Sequence, residues 1–525
     1  MRPMRRQDWI AASIAIGEYC NDKPLSGYQR RDGHGGNPLY PADTEDHFED
    51  SLIGAYAQLR ERYPWLRLDR YVVRMPCWEG PAVPEPSDYV WVDVPRPLAT
   101  TSVTVLTVPQ SRVSTARLGF HYRGTTLPSL RQRLQGKRFR GLVGNVGYYM
   151  TEGLIGNKFA WSHNRRYSEH PLPAVPSYLG YHLHTDPDTG AIQGGFQGAL
   201  PAAVGLGQDG RVHLMPRVRI DAYQVTLGEH KFVVDAVNDP HSECDCIVFT
   251  PACRTAEISA LVAEAEQQPD STAWQSFAPM VPVPEAADRV HVFVANRGNG
   301  EMPVEEIVAV WPGPAPLPSF GAVLSFRRSW FEAHFGPASH FRERFLGTPV
   351  SVVPLGPTFE QRFRGILGGL VPAVIAGQHV CHAGTVSRVM QLLGRYGNTT
   401  SPIARAGQES RNFDPYIREP AGLLVQTEEA IGWVLLDGRH ELSIGASVVD
   451  ALQILFMLDS SGAFGSPLQG AVFVDGGSAM KLYYAESDGR AVRLDLLNRV
   501  AAGSRNEPGS DVEGLNLYST LSLAF

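Results

Sequence analysis

Apolar and polar positions alternate in short runs along most of the chain, and the runs suit strands more than helices. Ser102-Val103-Thr104-Val105-Leu106-Thr107-Val108 alternates hydroxyl-bearing and aliphatic residues and predicts a strand. Gly141–Tyr149 reads as a strand running into a glycine-rich turn. Further strands are predicted at 212–220, 230–237, 246–250, 290–295, 321–326, 349–353, 422–426, 431–436, 471–474 and 481–484. Helical spacing marks Asp43–Arg62, where Phe48, Leu52, Ile53, Tyr56 and Leu59 share one face before Pro64 stops the helix. Shorter helices are predicted at Leu127–Leu134, capped by Thr125 or Thr126, and at 254–267, 327–335, 358–367, 385–395 and 447–458. Strands outnumber helices and many join through short turns. The expected fold class is therefore α+β, mixed and strand-rich, rather than a doubly wound sheet.

Pro81, Pro84, Pro86, Pro95 and Pro97 punctuate the chain before the first strong strand. Residues 1–98 thus read as an appended segment of helix and loop, and 99–525 as the main domain. Proline-rich stretches at 171–176 and 312–318 read as loops or sheet edges. The 525 residues, 43% hydrophobic and 19% charged, suit one large core or a few domains of ordinary size. The net charge of -7 argues against a general nucleic-acid grip, and the basic clusters at Arg2–Arg6 and Arg131–Arg140 are short. No apolar run is long enough for a spanning helix, so no membrane partner is expected. Arg5 and Arg6 precede Trp9–Ile16, which faintly mimics a secretion signal. That stretch is short, follows Asp8 and lacks a small-x-small cleavage site, so an ordinary first helix and a cytoplasmic location are expected. Six cysteines make no dense disulfide framework. Cys244, Cys246 and Cys253 do not fit structural zinc spacing, and no cofactor is demanded.

Four glycine turns carry candidate chemistry. The apolar strand Ala471-Val472-Phe473-Val474 delivers Asp475 at its end, and Gly476-Gly477-Ser478 follow. Glycines let a backbone turn sharply and approach a ligand, and successive N–H groups can cradle an anion. The same residues also suit a tight turn in which Asp475 caps its own backbone. Gly144-Asn145-Val146-Gly147-Tyr148-Tyr149 pairs an amide with flat aromatic faces suited to a sugar ring. Gly365-Ile366-Leu367-Gly368-Gly369-Leu370 reads in isolation as a helix C-terminus. Leu435-Leu436-Asp437-Gly438-Arg439-His440 ends a buried strand in a carboxylate, a guanidinium able to grip phosphate, and an imidazole able to move a proton.

Taken in order, these segments resemble the phosphodiester glycosidase family. The family's opening strand, helix and Asn-Gly-Gly-aromatic turn look like Val103–Val108, Leu127–Leu134 and Asn145–Tyr148. Its Asn-x-Pro stretch is similar to Asn238-Asp239-Pro240, followed by Ile247–Pro251. Its Gly-x-Val-Leu-Ser strand is matched by Gly321–Ser325, and its Gly-Gly-x-Pro-x-Leu segment resembles Gly368–Ala373. Its Asp-Gly-Arg turn corresponds to Asp437-Gly438-Arg439, with a helix from Gly445, and its most recognisable run to Phe473–Ser478. The resemblance covers roughly residues 100–525, with enlarged loops between 157 and 230. Departures exist. A Pro-Arg-Thr segment would fall at Pro420-Ala421-Gly422, leaving Arg418 as the nearby cation. Val146 and Phe473 replace a usual glycine and asparagine, and one glycine of the triple run is missing.

The resemblance implies a hydrolase acting on a sugar bonded through its anomeric carbon to a phosphodiester. Phosphate leaves as a stable anion, so the demand falls on donors to phosphate, an oriented nucleophile and a stabilised oxocarbenium-like centre. Asp475 is then the base, the nucleophile or a metal-binding carboxylate, with Arg439 and Arg418 on phosphate and His440 as proton shuttle. Asn145, Gly147, Tyr148, Gly368, Gly369, Asp437, Gly476, Gly477 and Ser478 would line the pocket. A divalent cation at Asp475 or Asp437 is compatible but not required. The altered Pro420-Ala421-Gly422 segment keeps a second reading open, a domain that binds a phosphorylated glycan without cleaving it.

Overall fold

The structure, a computed structural model, describes residues 39–41, 50–74, 100–125, 139–147, 149–150, 177–178, 182–185, 192–196, 202–250, 253, 280–296, 304–317, 321–357, 363–380, 420–438, 445–446, 448–474, 476, 480–487, 491–494 and 517–525. It is a mixed, mostly β α+β fold, as the alternating runs predict. The largest sheet follows the order β1 (Leu39–Pro41), β2 (Arg67–Arg74), β3 (Thr100–Pro109), β22 (Ala430–Leu436), β21 (Ala421–Gln426), β23 (Gly470–Val474), β19 (Phe363–Ile375), β10 (Ala202–Gly207) and β11 (Val212–Met215). β8 (His182–Thr185), β9 (Ile192–Gly194) and β20 (Gln378–His379) join it off this path. A five-stranded sheet runs β25 (Ala491–Arg493), β24 (Leu482–Ala485), β5 (Gly141–Asn145), β26 (Leu517–Ala524) and β4 (Thr115–Thr125). A seven-stranded sheet runs β13 (His230–Val234), β12 (Ala222–Leu227), β18 (Pro349–Leu355), β16 (Glu305–Pro312), β15 (Arg289–Asn296), β17 (Ala322–Arg327) and β14 (Cys246–Phe249). A short ribbon pairs β6 (Tyr149–Met150) with β7 (Ser177–Tyr178). The described α-helices are α1 (Asp50–Arg62), α2 (Arg328–Phe335), α3 (Ala338–Phe345) and α4 (Val448–Ser460).

The central strands of the largest sheet are sealed on both faces, which is why β21, β22 and β23 read as largely apolar runs. On one face Val105, Leu423, Val434 and Phe473 pack beneath Leu452, Leu455 and Leu458 of α4. On the other, Leu106, Leu424, Trp433 and Val472 meet Leu142, Leu482, Leu521 and Leu523 of the five-stranded sheet. Trp433 is wholly buried and lies on Gly144 so closely that a Cβ there would sit 2.6 Å from its Nε1. A glycine at 144 is therefore what allows the two sheets to meet. The seven-stranded sheet has its own core, in which Val292, Leu324 and Phe326 pack with Phe331 of α2 and Phe341 of α3.

Two motif segments serve this second core as scaffold. Asn238 holds a left-handed backbone at φ 55°. Its Oδ1 accepts from the Thr250 backbone N at 2.8 Å and its Nδ2 donates to Thr250 Oγ1 at 3.0 Å. Gly321, at φ 65°, opens β17 where a Cβ would lie 2.3 Å from the Val294 carbonyl.

The expected boundary near residue 98 falls between β2 and β3, which are hydrogen-bonded neighbours from Arg67↔Thr107 to Arg74↔Thr100. Tyr56, Leu59, Tyr63 and Leu66 belong to the shared core. The helix expected at 358–367 is a correction: from Phe363 onward the chain is strand β19. Three glycines in Gly365–Gly369 disfavour a helix, and burial on both faces suits the apolar run to a sheet. Within the stretch 157–230, where enlarged loops and a strand at 212–220 were expected, the described residues form β7 to β12, with β11 at Val212–Met215. The helices predicted at 127–134, 254–267 and 385–395 lie outside the described residues. Among the described residues no helix is long and apolar enough to cross a membrane.

The tight strand packing can be tested at glycines. A Cβ at Gly432 would stand 1.9 Å from the Leu106 carbonyl, whereas at Gly470 the nearest atom is 3.6 Å away. Gly432→Ala is expected to lower stability by about 1–3 kcal/mol in urea denaturation. Gly470→Ala should stay within ~0.5 kcal/mol. Equal effects would contradict the packing described.

Candidate functional site

With both faces of the central sheet covered, its strands can present polar groups to a ligand only at their ends. Gly422 pairs with both Val474 and Leu435, Ala421 with Leu436, and Leu436 with Val103. β22 and β23 therefore finish, and β21 and β3 begin, at one edge. Asp437 follows β22 there, wholly buried, and its backbone N donates to the Ser102 carbonyl at 2.9 Å. Gly476 lies against the chain entering β21, since a Cβ on it would be 2.8 Å from the Pro420 carbonyl. Thr101 Oγ1 donates to the Gly445 carbonyl at 2.7 Å, which brings the start of α4 to the same edge. Asp450, buried in the first turn of α4, already occupies that favourable end of the helix.

The chain next crosses to the five-stranded sheet. Met480 packs on Gly422, whose Cβ would lie 3.3 Å from Met480 Cγ. The Lys481 backbone N donates to Asn145 Oδ1 at 2.9 Å, and the Asn145 N donates to the Lys481 carbonyl at 3.1 Å. Gly147 N donates to Ser519 Oγ at 2.9 Å. Asn145 is thus a buried clamp on the far end of the Asp475–Ala479 connection, and its Oδ1 is committed to that backbone contact.

Gly368 and Gly369 lie within β19, and this overturns the helix C-terminus reading. Gly369 has φ 78°, and the pairing register with β10 shifts between Ala202 and Ala203, opposite Leu370 and Gly368. This is a bulge, which only a glycine accommodates without strain. β23 begins its pairing with β19 at Val371, so the bulge sits beside the strand end that leads to Asp475.

The structure therefore gathers Gly476, Asp437, Gly368 and Gly369 along one edge, with Asn145 and Gly147 one contact removed through Lys481 and Ser519. Asp475, Arg439, His440, Arg418, Tyr148, Gly477 and Ser478 lie outside the described residues. Among the described residues no group of three or more side chains could hold a metal ion.

Two buried groups near this edge were not found by sequence reasoning. His182 on β8 pairs with Leu367, adjacent to the glycine bulge. Glu305 opens β16 of the seven-stranded sheet. From the position of a Cβ on Gly195, Glu305 Oε1 is 2.5 Å away and His182 Nδ1 is 2.7 Å away. Burial pushes the Glu305 carboxyl up to about 8. Burial, helped by the stacked His184 ring at 6.0 Å, pushes His182 down to about 3. His291, sealed beside Arg289 in the other sheet, is likewise pushed down to about 3, chiefly by burial. Neither key residue carries a sequence signal. His182-Leu183-His184 sits in a strand of four residues, and Glu305-Glu306 reads as a surface charge pair.

These shifts predict a stability profile. Glu305 is protonated in the fold up to about 8 and in the unfolded chain only to 4.5, so its contribution is full below 4.5 and lost as pH rises through 8. His182 and His291 act oppositely: their contribution is full above 6.5 and lost as pH falls toward 3. Among the described residues, these groups place the stability maximum near pH 6.5, with Glu305 driving a decline from there to 8. In Glu305→Gln the alkaline decline should shrink in thermal denaturation scans. An unchanged decline would refute the assignment.

No family model matches this sequence, and no curated protein matches it. Similar solved structures include a hypothetical protein from Synechocystis at 16% identity and TM-score 0.37, covering 81% of this chain and 59% of the other. This chain thus spans about three-fifths of that relative. A candidate exported protein of Burkholderia pseudomallei K96243 is similar at 16% identity and TM-score 0.40, covering 81% of this chain and 74% of the other. The zebrafish N-acetylglucosamine-1-phosphodiester alpha-N-acetylglucosaminidase catalytic domain, auto-inhibited by its pro-peptide, is similar at 8% identity and TM-score 0.32, covering 93% of this chain and 97% of the other.

Proposed function

We propose that this chain is a hydrolase that releases a sugar from a glycosyl-1-phosphodiester. One observation carries the reading: turns far apart in the sequence meet at a single edge of a sheet that is sealed elsewhere. Gly476, the Pro420 segment, Asp437 and the Gly368–Gly369 bulge are neighbours there. Such an edge offers backbone N–H groups and room for a ligand while excluding water from the strands behind it.

In this reading Asp475 either takes a proton from the water that displaces the phosphate at the anomeric carbon, with His440 passing that proton to solvent, or displaces the phosphate itself to form a glycosyl ester that water then hydrolyses. Arg439, with Arg418, holds the phosphate. Gly476, Gly477 and Ser478 supply N–H and hydroxyl donors, and Tyr148 offers a face to the sugar. Asn145 and Gly147 anchor the connection that carries Asp475, and Asp437 shapes the neighbouring strand end.

The second reading, a domain that binds a phosphorylated glycan without cleaving it, is favoured by the Pro420-Ala421-Gly422 segment. The arginine of the Pro-Arg-Thr pattern would fall at Ala421 and is absent, and at Gly422, the threonine position, a Cβ would meet Val474 Cγ2 at 2.7 Å.

Incubation with a panel of glycosyl-1-phosphodiesters separates the two. The wild type is expected to release sugar, and Asp475→Asn to lower the rate by ~10²–10⁴-fold. Retention of an intact diester with no release would favour the binding domain, and neither release nor retention would refute both.

A further inference from the structure

The seven-stranded sheet carries a polar cluster on the face turned away from its helices. On the helix side, Val290, Val292, Leu324 and Phe326 pack with Phe331 of α2 and Phe341 of α3. On the other side, Ile247, Phe293 and Val323 pack with Val281, Ala315 and Leu317. Side chains alternate along a strand, so Arg289 and His291 of β15 project to the face of Phe293. His291 pairs with Ser325 of β17, and directly opposed residues share a face at about 5 Å between β-carbons. Arg289 stands ~7 Å from His291 along β15. Ser325 is also the last residue of the Gly321–Ser325 segment, which the proposed function leaves without a role.

The cluster has more donors than acceptors. His291 and Ser325 are wholly buried, and Arg289 is 8% exposed. Arg289 Nε donates to Ser325 Oγ at 2.8 Å. Its Nη2 donates to the Ser325 carbonyl at 2.9 Å and to the Cys244 carbonyl at 3.3 Å. A guanidinium carries five N–H donors, so those on Nη1 have no acceptor among the described residues. Ser325 Oγ accepts in its bond to Arg289, and its own proton remains to be given. Neither ring nitrogen of His291 has a hydrogen-bond partner among the described residues. Folded proteins seldom leave this many neighbouring buried donors unmatched.

The balance of charge selects the ligand. The carboxylate whose charge reaches Arg289 is Asp245, and Asp245 is already paired with Arg327 at 3.6 Å on the half-exposed rim. Burial pushes the Cys246 thiol well up, so it supplies no counter-charge. Burial, with the Arg289 charge beside it, keeps His291 neutral. One positive charge therefore stands uncompensated among donors. A monovalent anion balances it, whereas a divalent one would leave an excess charge sealed from water. With His291 and Ser325 wholly buried, the cluster is reached past Arg289, which restricts the ligand to a small ion.

We propose that this face of the seven-stranded sheet binds a small monovalent inorganic anion of the halide class, held by Arg289 Nη1, the Ser325 hydroxyl and a ring N–H of His291. The site belongs to a different sheet from the strand edge described above, and the inference does not depend on the hydrolase reading. No covalent bond is made or broken. The anion neutralises Arg289 and takes up the unmatched donors, and so ties β15 to β17. Because it binds the folded chain and not the unfolded one, it stabilises the fold in proportion to the logarithm of its concentration once the site fills.

Thermal denaturation of the full chain in sodium chloride, against sodium gluconate at equal ionic strength, tests this, and crystals soaked in sodium bromide locate the ion. The wild-type midpoint should rise in chloride and not in gluconate. The chloride concentration needed for a given rise should increase ~5-fold or more in His291→Phe and in Ser325→Ala. In gluconate His291→Phe should be at least as stable as the wild type, because the phenyl ring leaves no buried donor unmatched. Anomalous scattering from bromide should lie between Arg289 and His291, and inorganic phosphate should not reproduce the chloride effect. An equal rise in gluconate, or a chloride response unchanged in both variants, overturns the proposal. Bromide at Arg289 without any chloride response means an adventitious ion only, and also overturns it. A response to phosphate and none to chloride overturns the halide assignment. Should His291→Phe fail to fold, Ser325→Ala decides.

Discussion

Burial of the central strands on both faces is the constraint from which the rest follows. α4 covers one side and the five-stranded sheet the other. A charged side chain in mid-strand would be cut off from water with few partners, so β21, β22 and β23 are apolar along most of their length, and the buried polar residues of β3 are small hydroxyls. Chemistry is displaced to the places where strands stop, and β21, β22, β23 and β3 all begin or stop at one edge.

The same sealing ties the parts of that edge together. Trp433 seated on Gly144 fixes the five-stranded sheet against the central one. Asn145 then holds Lys481, the far end of the connection that carries Asp475, while Gly422 receives Met480. From the other direction Glu305 brings the seven-stranded sheet against His182. Residues of three sheets therefore meet near this edge. A change in any of the three contacts reaches the site without touching a ligand.

Much of the strand pattern was legible because two-sided burial writes long apolar runs into the sequence. β3, β14, β17, β22 and β23 lie within a residue or two of their predicted positions, and α2 and α4 emerge from helical spacing. β19 was misread because an apolar run rich in glycine has no period, and its neighbours decide between strand and helix. The segments around Gly476, Asp437 and Gly368 could be picked out one by one, since glycine beside a carboxylate or a second glycine is a local signal. Their meeting at one edge could not, because register between strands hundreds of residues apart leaves no local trace. His182 and Glu305 were invisible for the same reason. What makes them unusual is burial against each other, and nothing in a four-residue strand or a Glu-Glu pair announces it.

The central claim is that this edge is where a phosphate-linked sugar sits. The most direct measurement is a crystal structure of the full chain with a non-hydrolysable glycosyl phosphonate. The account predicts density at the edge where Gly476, the Pro420 segment, Asp437 and the Gly368–Gly369 bulge are neighbours. Density on the seven-stranded sheet or elsewhere on the surface, with the edge left to solvent, would contradict it.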